Sequence, residues 1–166
     1  MYELKRLTHS GIPSALAMGH RYRLLNRPWE AECIYRDVLD SEPDNQEALI
    51  GLVLALTDQF GDFHASSVSE AQSMANRIHG EYERAYYTGI IRERRAKAIL
   101  QQARPGTGSA VYELLQQAMA CYQEAEQRRP EGNDEALLRW NACVRLLQRH
   151  PRAVAASSER FEPYVD

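Results

Sequence analysis

The chain has 166 residues, of which 44% are hydrophobic and 26% are charged, and its formal net charge is -3 at pH 7. This size and composition are typical of one globular domain with its own core, and the slightly acidic balance provides no general attraction to nucleic acid. The three cysteines are odd in number and lack the paired spacing of a disulfide framework or a zinc site.

The N-terminal residues predict a short arm. Residues 1–11 contain only Leu4 and Leu7 as an apolar pair. They lack the apolar core of a secretory signal, and the longest apolar run, from Ala48 to Leu56, is too short to cross a bilayer. We therefore expect a cytoplasmic protein with no membrane partner.

Residues 12–45 predict a pair of helices that touch through small side chains. Gly19 and Ala31 lack bulk, so the two helices can approach closely, and larger side chains would fill the space around the crossing: Met18, Tyr22 and Tyr35. Pro13 and Pro28 suit the first turn of the two helices.

The same stretch resembles a known repeat. Its motifs are Ala15-x2-Met18-Gly19-x2-Tyr22, then Ala31-x3-Tyr35, then Pro43. They resemble the tetratricopeptide repeat, whose signature is W-x2-L-G-x2-Y, A-x3-F and a closing Pro within about 34 residues. The chain looks like a small bacterial member with degenerate repeats. Accidental spacing in a generic helix bundle is the alternative.

The resemblance implies an all-α fold. It would be a right-handed α-solenoid of about seven helices, with about three helix hairpins and a terminal capping helix over residues 12–149. The second hairpin would start with a helix from Asn45 to Phe60, preceded by the capping-box pattern of Asp44 and Glu47. Its other helix would begin at the capping box Ser67-x-x-Glu70, after an inserted loop.

The third hairpin is predicted from one long helix and its partner. Residues 82–102 contain no helix breaker except Gly89, and residues 110–128 form the second segment. In that segment the repeat signature returns as Ala118-x3-Tyr122 and Pro130. A last helix is expected from Asn133 or Asp134 to about Gln148, followed by a tail at residues 150–166 with the apolar cluster Phe161, Pro163, Tyr164 and Val165.

The resemblance also implies a ligand-binding groove along the first helix of each hairpin. Helix geometry predicts that it is lined by Leu16, His20, Arg23, Ile50, Leu54, Tyr86, Ile90 and Arg94. These side chains are mostly apolar, so we expect a mainly hydrophobic protein segment as the ligand. The alternative is that the apolar members of the set are core residues.

No catalytic, metal-binding or cofactor-binding residue is predicted. The five histidines form no H-x-x-x-H pair, and no Ser, Cys or carboxylate has a recognisable nucleophile setting. The charge cluster at residues 92–97 is expected to be a solvated helix face.

The sequence therefore predicts a noncatalytic adaptor or scaffold for protein–protein interaction. We expect a protein or peptide partner, no cofactor, no nucleic acid and no membrane, and homo-oligomer formation is left open. One alternative is a chaperone of the tetratricopeptide type for an exported protein. A lesser alternative is an enzyme with its site in the inter-helix loops at residues 60–67 or 104–109.

Overall fold

The structure is a computed structural model that describes residues 2–62, 65–102, 104–151 and 153. These described residues contain no strand and form seven α-helices: α1 (Ile12–Leu24), α2 (Pro28–Ser41), α3 (Gln46–Asp58), α4 (Ala65–Asn76), α5 (Glu81–Gln101), α6 (Gly108–Gln127) and α7 (Glu135–Arg149). Short 3-10 turns occur at His9–Gly11 and Phe60–Asp62. The expected all-α class is confirmed.

The helices divide into two compact units, Met1–His79 and Gly80–Asp166. In the first unit α1 packs on α2, α2 on α3 and α3 on α4, and α1 also contacts α3. In the second unit α5 packs on α6 and α6 packs on α7. Within each unit, helices that follow one another in the chain are therefore neighbours in space.

The division predicted from the sequence stays a prediction. It separated an arm at residues 1–11, one helical domain at residues 12–149 and a tail at residues 150–166. The apolar cluster of the tail, from Phe161 to Val165, lies outside the described residues.

The first residues of α1, α2 and α3 explain where these helices begin. Pro13 and Pro28 lie in the first turn of α1 and α2, as expected. The start of α3 differs from the expectation, because the side chain of Asn45, and not that of Asp44, accepts the hydrogen bond from the Ala48 backbone N–H at 2.9 Å. Asp44 precedes the cap position by one residue, which is too far from the first turn for this bond.

Helix α4 begins before its predicted cap. Its first residue is Ala65, so Ser67 lies inside the first turn and does not cap the helix. Glu70 is also not part of a capping box, since it accepts two hydrogen bonds from the Arg36 guanidinium of α2, at 2.6 and 2.9 Å. Glu70 therefore forms an ion pair with Arg36 of another helix in place of the capping box predicted with Ser67.

A buried tyrosine lies against glycine in each unit. Tyr35 of α2 is fully buried, and a Cβ atom on Gly19 of α1 would lie 2.8 Å from its ring, with one on Gly51 of α3 closer still. In the second unit, a Cβ atom on Gly89 of α5 would lie 2.5 Å from the ring of Tyr122, which is also fully buried. Glycine is required at these three positions because any side chain would overlap the ring.

The predicted roles of the crossing residues are mostly confirmed. Ala31 is fully buried and Gly19 contacts Tyr35, as the close approach of α1 and α2 requires. Tyr22 is half-buried. The role given to Met18 is wrong, because this residue is 46% exposed and does not fill a buried crossing.

Replacing Gly51 with Ala tests the glycine–tyrosine contact. The new methyl group overlaps the Tyr35 ring, and we expect Gly51→Ala to lower the free energy of unfolding by about 1–3 kcal/mol, although Ala has the higher helix propensity. Urea denaturation followed by circular dichroism measures this loss. Gly61→Ala is the matched control, since its Cβ meets no atom within 4 Å and its stability should change by less than about 0.5 kcal/mol. Equal stabilities of the two variants would contradict the contact.

The pair of Arg36 and Glu70 predicts a dependence of stability on pH. The hydrogen bonds from Arg36 lower the pKa of Glu70 below its ordinary value of 4.5, so the pair stabilises the fold at neutral pH. This stabilisation is lost as the pH falls below 4.5 and through the lower pKa of the folded state.

We expect Glu70→Gln to be less stable than the wild type near pH 7. Both side chains are more than one third exposed, so the difference should be below about 1 kcal/mol, and it should shrink as the pH falls below 4.5 and Glu70 becomes protonated. Thermal unfolding across this pH range measures it, with Glu131→Gln, at an exposed position, as the control. A difference that does not change with pH would contradict the role of the pair.

Candidate functional site

Two polar pairs join α1 to α3 on the surface of the first unit. The His20 imidazole lies 2.8 Å from a carboxylate oxygen of Glu47, and the Arg23 guanidinium donates to Asp58 at 2.9 Å. The Arg23 and Asp58 side chains are only 20% and 24% exposed, so solvent screens this pair less than a fully exposed one. The two pairs hold α1 and α3 side by side.

The apolar part of the same surface belongs to α3. Ile50 and Leu54 are half-exposed, and they follow Glu47 and precede Asp58 at spacings of three or four residues. This spacing puts all four side chains on one stripe of the helix. We call the surface formed by this stripe with the two partners on α1 the α1–α3 face: His20, Arg23, Glu47, Ile50, Leu54 and Asp58.

The core fixes the position of His20. Its Nδ1 atom lies 3.0 Å from the Tyr35 hydroxyl, and the two rings meet edge to face with centroids 5.9 Å apart. Burial raises the pKa of Tyr35 to about 12, so its hydroxyl keeps its proton at physiological pH. When His20 is neutral with its proton on Nε2, Tyr35 donates to Nδ1 and Nε2–H donates to Glu47. One chain of hydrogen bonds thus connects the buried ring to the surface.

A cleft of about 310 Å³ adjoins the α1–α3 face near the start of α1. Leu16 lines this cleft, although its side chain is 7% exposed and therefore contributes little free surface. Glu47 belongs to both the cleft and the face. The wall of the cleft is completed by His9, Ile12, Pro13, Glu42 and Asn45.

The remaining predicted groove residues lie on α5 in the second unit. Ile90 is buried, so for this residue the alternative holds that the apolar members of the set are core residues. Tyr86 and Arg94 are half-exposed. The Tyr86 ring stacks on Tyr82 with centroids 5.8 Å apart and also contacts Tyr122. The structure therefore brings five of the predicted residues together in the first unit and the other three together on α5.

The second unit contains a buried carboxylate that the sequence reading missed. Glu93 was expected to lie on a solvated face, and this expectation is wrong because the residue is fully buried. The Tyr122 hydroxyl donates to it at 2.5 Å, Lys97 pairs with it, and Arg139 lies 3.5 Å from it. The spacing along α5 could have predicted this burial. Glu93 follows Gly89 by four residues and so lies on the helix face that packs on Tyr122.

These contacts form a cluster that joins three helices of the second unit: Glu93 and Lys97 of α5, Tyr122 of α6 and Arg139 of α7. Burial, followed by the charge of Glu93, raises the pKa of Tyr122. Burial and the same charge raise the pKa of Cys143 to about 12, so its thiol stays protonated and unreactive. A buried carboxylate needs such compensation, because an unpaired charge would be strongly destabilising.

No group of three or more His, Cys, Asp or Glu side chains is arranged to hold a metal ion among the residues that the structure describes. Within those same residues, no helix has both the length and the apolar character needed to cross a membrane. The enzyme alternative named two loops. The loop at residues 60–67 includes residues 63 and 64, which are outside the described ranges. In the loop at residues 104–109, Thr107 donates to the Arg104 carbonyl at 2.8 Å and closes a turn.

Removing one hydroxyl tests the buried cluster. Tyr122→Phe removes the phenol that donates to Glu93, and we expect the free energy of unfolding to fall by about 1–3 kcal/mol. Tyr112→Phe is the matched control, since the Tyr112 hydroxyl accepts a hydrogen bond from the exposed Gln116 amide and the loss of this bond should cost less than about 0.5 kcal/mol. Chemical denaturation of the two variants measures the difference. Equal effects would show that the cluster does not stabilise the unit.

Comparisons of this chain with protein-family models, with curated proteins and with solved structures found no match. The resemblance to the tetratricopeptide repeat therefore stays a prediction, and so does the right-handed solenoid. The all-helical architecture and the geometry of the α1–α3 face are the basis for a functional proposal.

Proposed function

We propose that this chain is a noncatalytic adaptor or scaffold that binds a mainly apolar segment of another protein on the α1–α3 face. In this proposal its helix hairpins form a right-handed stack of the tetratricopeptide type, and this face is part of the inner groove. The observation that supports the proposal best is the half-exposed pair of Ile50 and Leu54 between two polar pairs that bridge α1 and α3.

Hydrogen bonds already hold the polar side chains of the α1–α3 face in place. His20 is held by Tyr35 and Glu47, and Arg23 is held by Asp58, so these side chains lose little further freedom when a ligand binds. Binding affinity is greater when the surface is already ordered in this way. A ligand would remove water from Ile50 and Leu54, and this burial of apolar area supplies the main favourable free energy.

The two polar pairs would determine which ligands bind. They lie at the two ends of the apolar stripe, and the members of each pair already bond one another, so a ligand charge placed over them would lose water without gaining a new partner. A segment with apolar residues at its centre and polar residues at its ends fits this arrangement. Tyr86 and Arg94 of α5 are proposed as binding residues of the second unit by itself, and no cofactor takes part.

Photo-crosslinking from the face tests the proposal. A benzophenone amino acid in place of Ile50 should capture one specific partner in cells, whereas the same probe in place of Leu138, which is 61% exposed on α7, should not. Mass spectrometry of the crosslinked peptide then identifies the bound segment. We expect its residues at the crosslink to be mainly apolar.

Direct binding of the identified segment provides the second measurement. Leu54→Asp places an uncompensated charge within the apolar stripe, and we expect the dissociation constant to rise by about tenfold or more. Leu138→Asp introduces the same charge elsewhere and should leave binding unchanged. The two variants must show circular dichroism spectra like that of the wild type. Equal binding by both variants would show that the segment does not bind on the α1–α3 face.

A further inference from the structure

The end of α1, the turn after it and the first turn of α2 expose three large apolar side chains. Leu24 is 88% exposed, Leu25 is 63% exposed and Trp29 is 64% exposed. They lie within six consecutive residues, and we call residues 24–29 the α1–α2 tip. Single exposed apolar residues are common on protein surfaces, but a group of this size in one turn indicates an interaction site.

The backbone of the tip is ordered by hydrogen bonds. The N–H of Asn26 donates to the Arg23 carbonyl at 3.0 Å, and the N–H of Arg27 donates to the Tyr22 carbonyl at 2.9 Å. Asn26 adopts the left-handed conformation with φ of 55°, which asparagine tolerates better than most residues. The exposed side chains are therefore held outward by a closed turn, and they are not the frayed end of a helix.

The charge around the tip is positive. Arg21 and Arg27 are exposed beside the apolar side chains. Arg27 lies 3.1 Å from Glu30, but an ion pair this exposed is weak and can exchange for another anion. The chain as a whole carries a net charge of -3, so this local excess of arginine opposes the overall balance.

The geometry favours one kind of partner. Side chains this exposed form a protruding surface, and a protruding surface lacks the groove that a peptide ligand needs. Three apolar side chains also offer less area than the roughly 800 Å² per partner of a standard protein interface. A lipid surface requires no concavity, and Trp, Leu and Arg side chains are the types that enter its interface.

We propose that the α1–α2 tip docks on a membrane surface that contains anionic lipids. Leu24, Leu25 and Trp29 enter the headgroup region, and Arg21 and Arg27 contact lipid phosphates. This contact is peripheral and involves no membrane-spanning helix. The sequence-based expectation of no membrane partner stays a prediction, and vesicle binding would show that it is wrong. The proposal is independent of the function proposed for the α1–α3 face.

Tryptophan fluorescence with lipid vesicles tests this proposal. Trp140→Phe leaves Trp29 as the only tryptophan of the full chain. Vesicles made of equal parts phosphatidylcholine and phosphatidylglycerol should shift the Trp29 emission to shorter wavelength and sediment with the protein. Vesicles of phosphatidylcholine alone should do neither, and raised salt should weaken the binding because it screens the arginines.

Variants of the tip separate the apolar and charged contributions. We expect Leu24→Ser with Leu25→Ser, and separately Arg21→Glu with Arg27→Glu, to weaken binding to the anionic vesicles by about tenfold or more. Leu138→Ser and Arg95→Glu make the same kinds of change at other exposed positions and should not weaken it. Circular dichroism establishes that each variant is folded.

Three results would overturn the proposal. One is the absence of binding to the anionic vesicles. Another is an equal loss of binding in the Leu138→Ser or Arg95→Glu controls. The third is self-association in the absence of lipid, detected by sedimentation equilibrium and abolished by the two leucine substitutions, which would assign the tip to a second copy of the chain.

Discussion

The contact between a buried tyrosine ring and glycine is the constraint on which each unit depends. Tyr35 lies against Gly19 of α1 and Gly51 of α3, so the ring on α2 determines how closely the other two helices approach. Tyr122 on α6 lies against Gly89 of α5 in the same manner. A ring of this size fills space that smaller side chains would leave empty, and the glycines provide the room that it needs.

The tyrosine hydroxyl explains why the two units differ. A buried hydroxyl requires a hydrogen-bonding partner, and the preceding helix supplies one in both units. In the first unit this partner is His20, whose other nitrogen reaches Glu47 at the surface. In the second unit it is Glu93, which is buried and which Arg139 of α7 also approaches. The same packing solution therefore leads to an ordered surface in the first unit and to a closed polar cluster in the second.

The helices could be predicted because their signals are local. Apolar spacing, prolines in first turns and breaker residues indicated seven helices, with ends close to those observed. The errors arose where a tertiary contact or a neighbouring residue competed with a local motif, since Glu70 binds Arg36 and Asn45 caps α3. The binding residues were less predictable. Ile90 is buried although helix geometry placed it toward a groove, because the spacing of side chains on a helix does not reveal what packs against them.

The sequence by itself determined the helical class, the order of the helices and the positions where small residues let them meet. These features depend on the period of the helix and on side-chain volume, which can be read along the chain. Only the tertiary structure decided which polar groups are paired, that Glu93 is buried, and that Leu24, Leu25 and Trp29 are exposed together. Burial and pairing depend on residues far apart in the chain that approach one another only in the folded state.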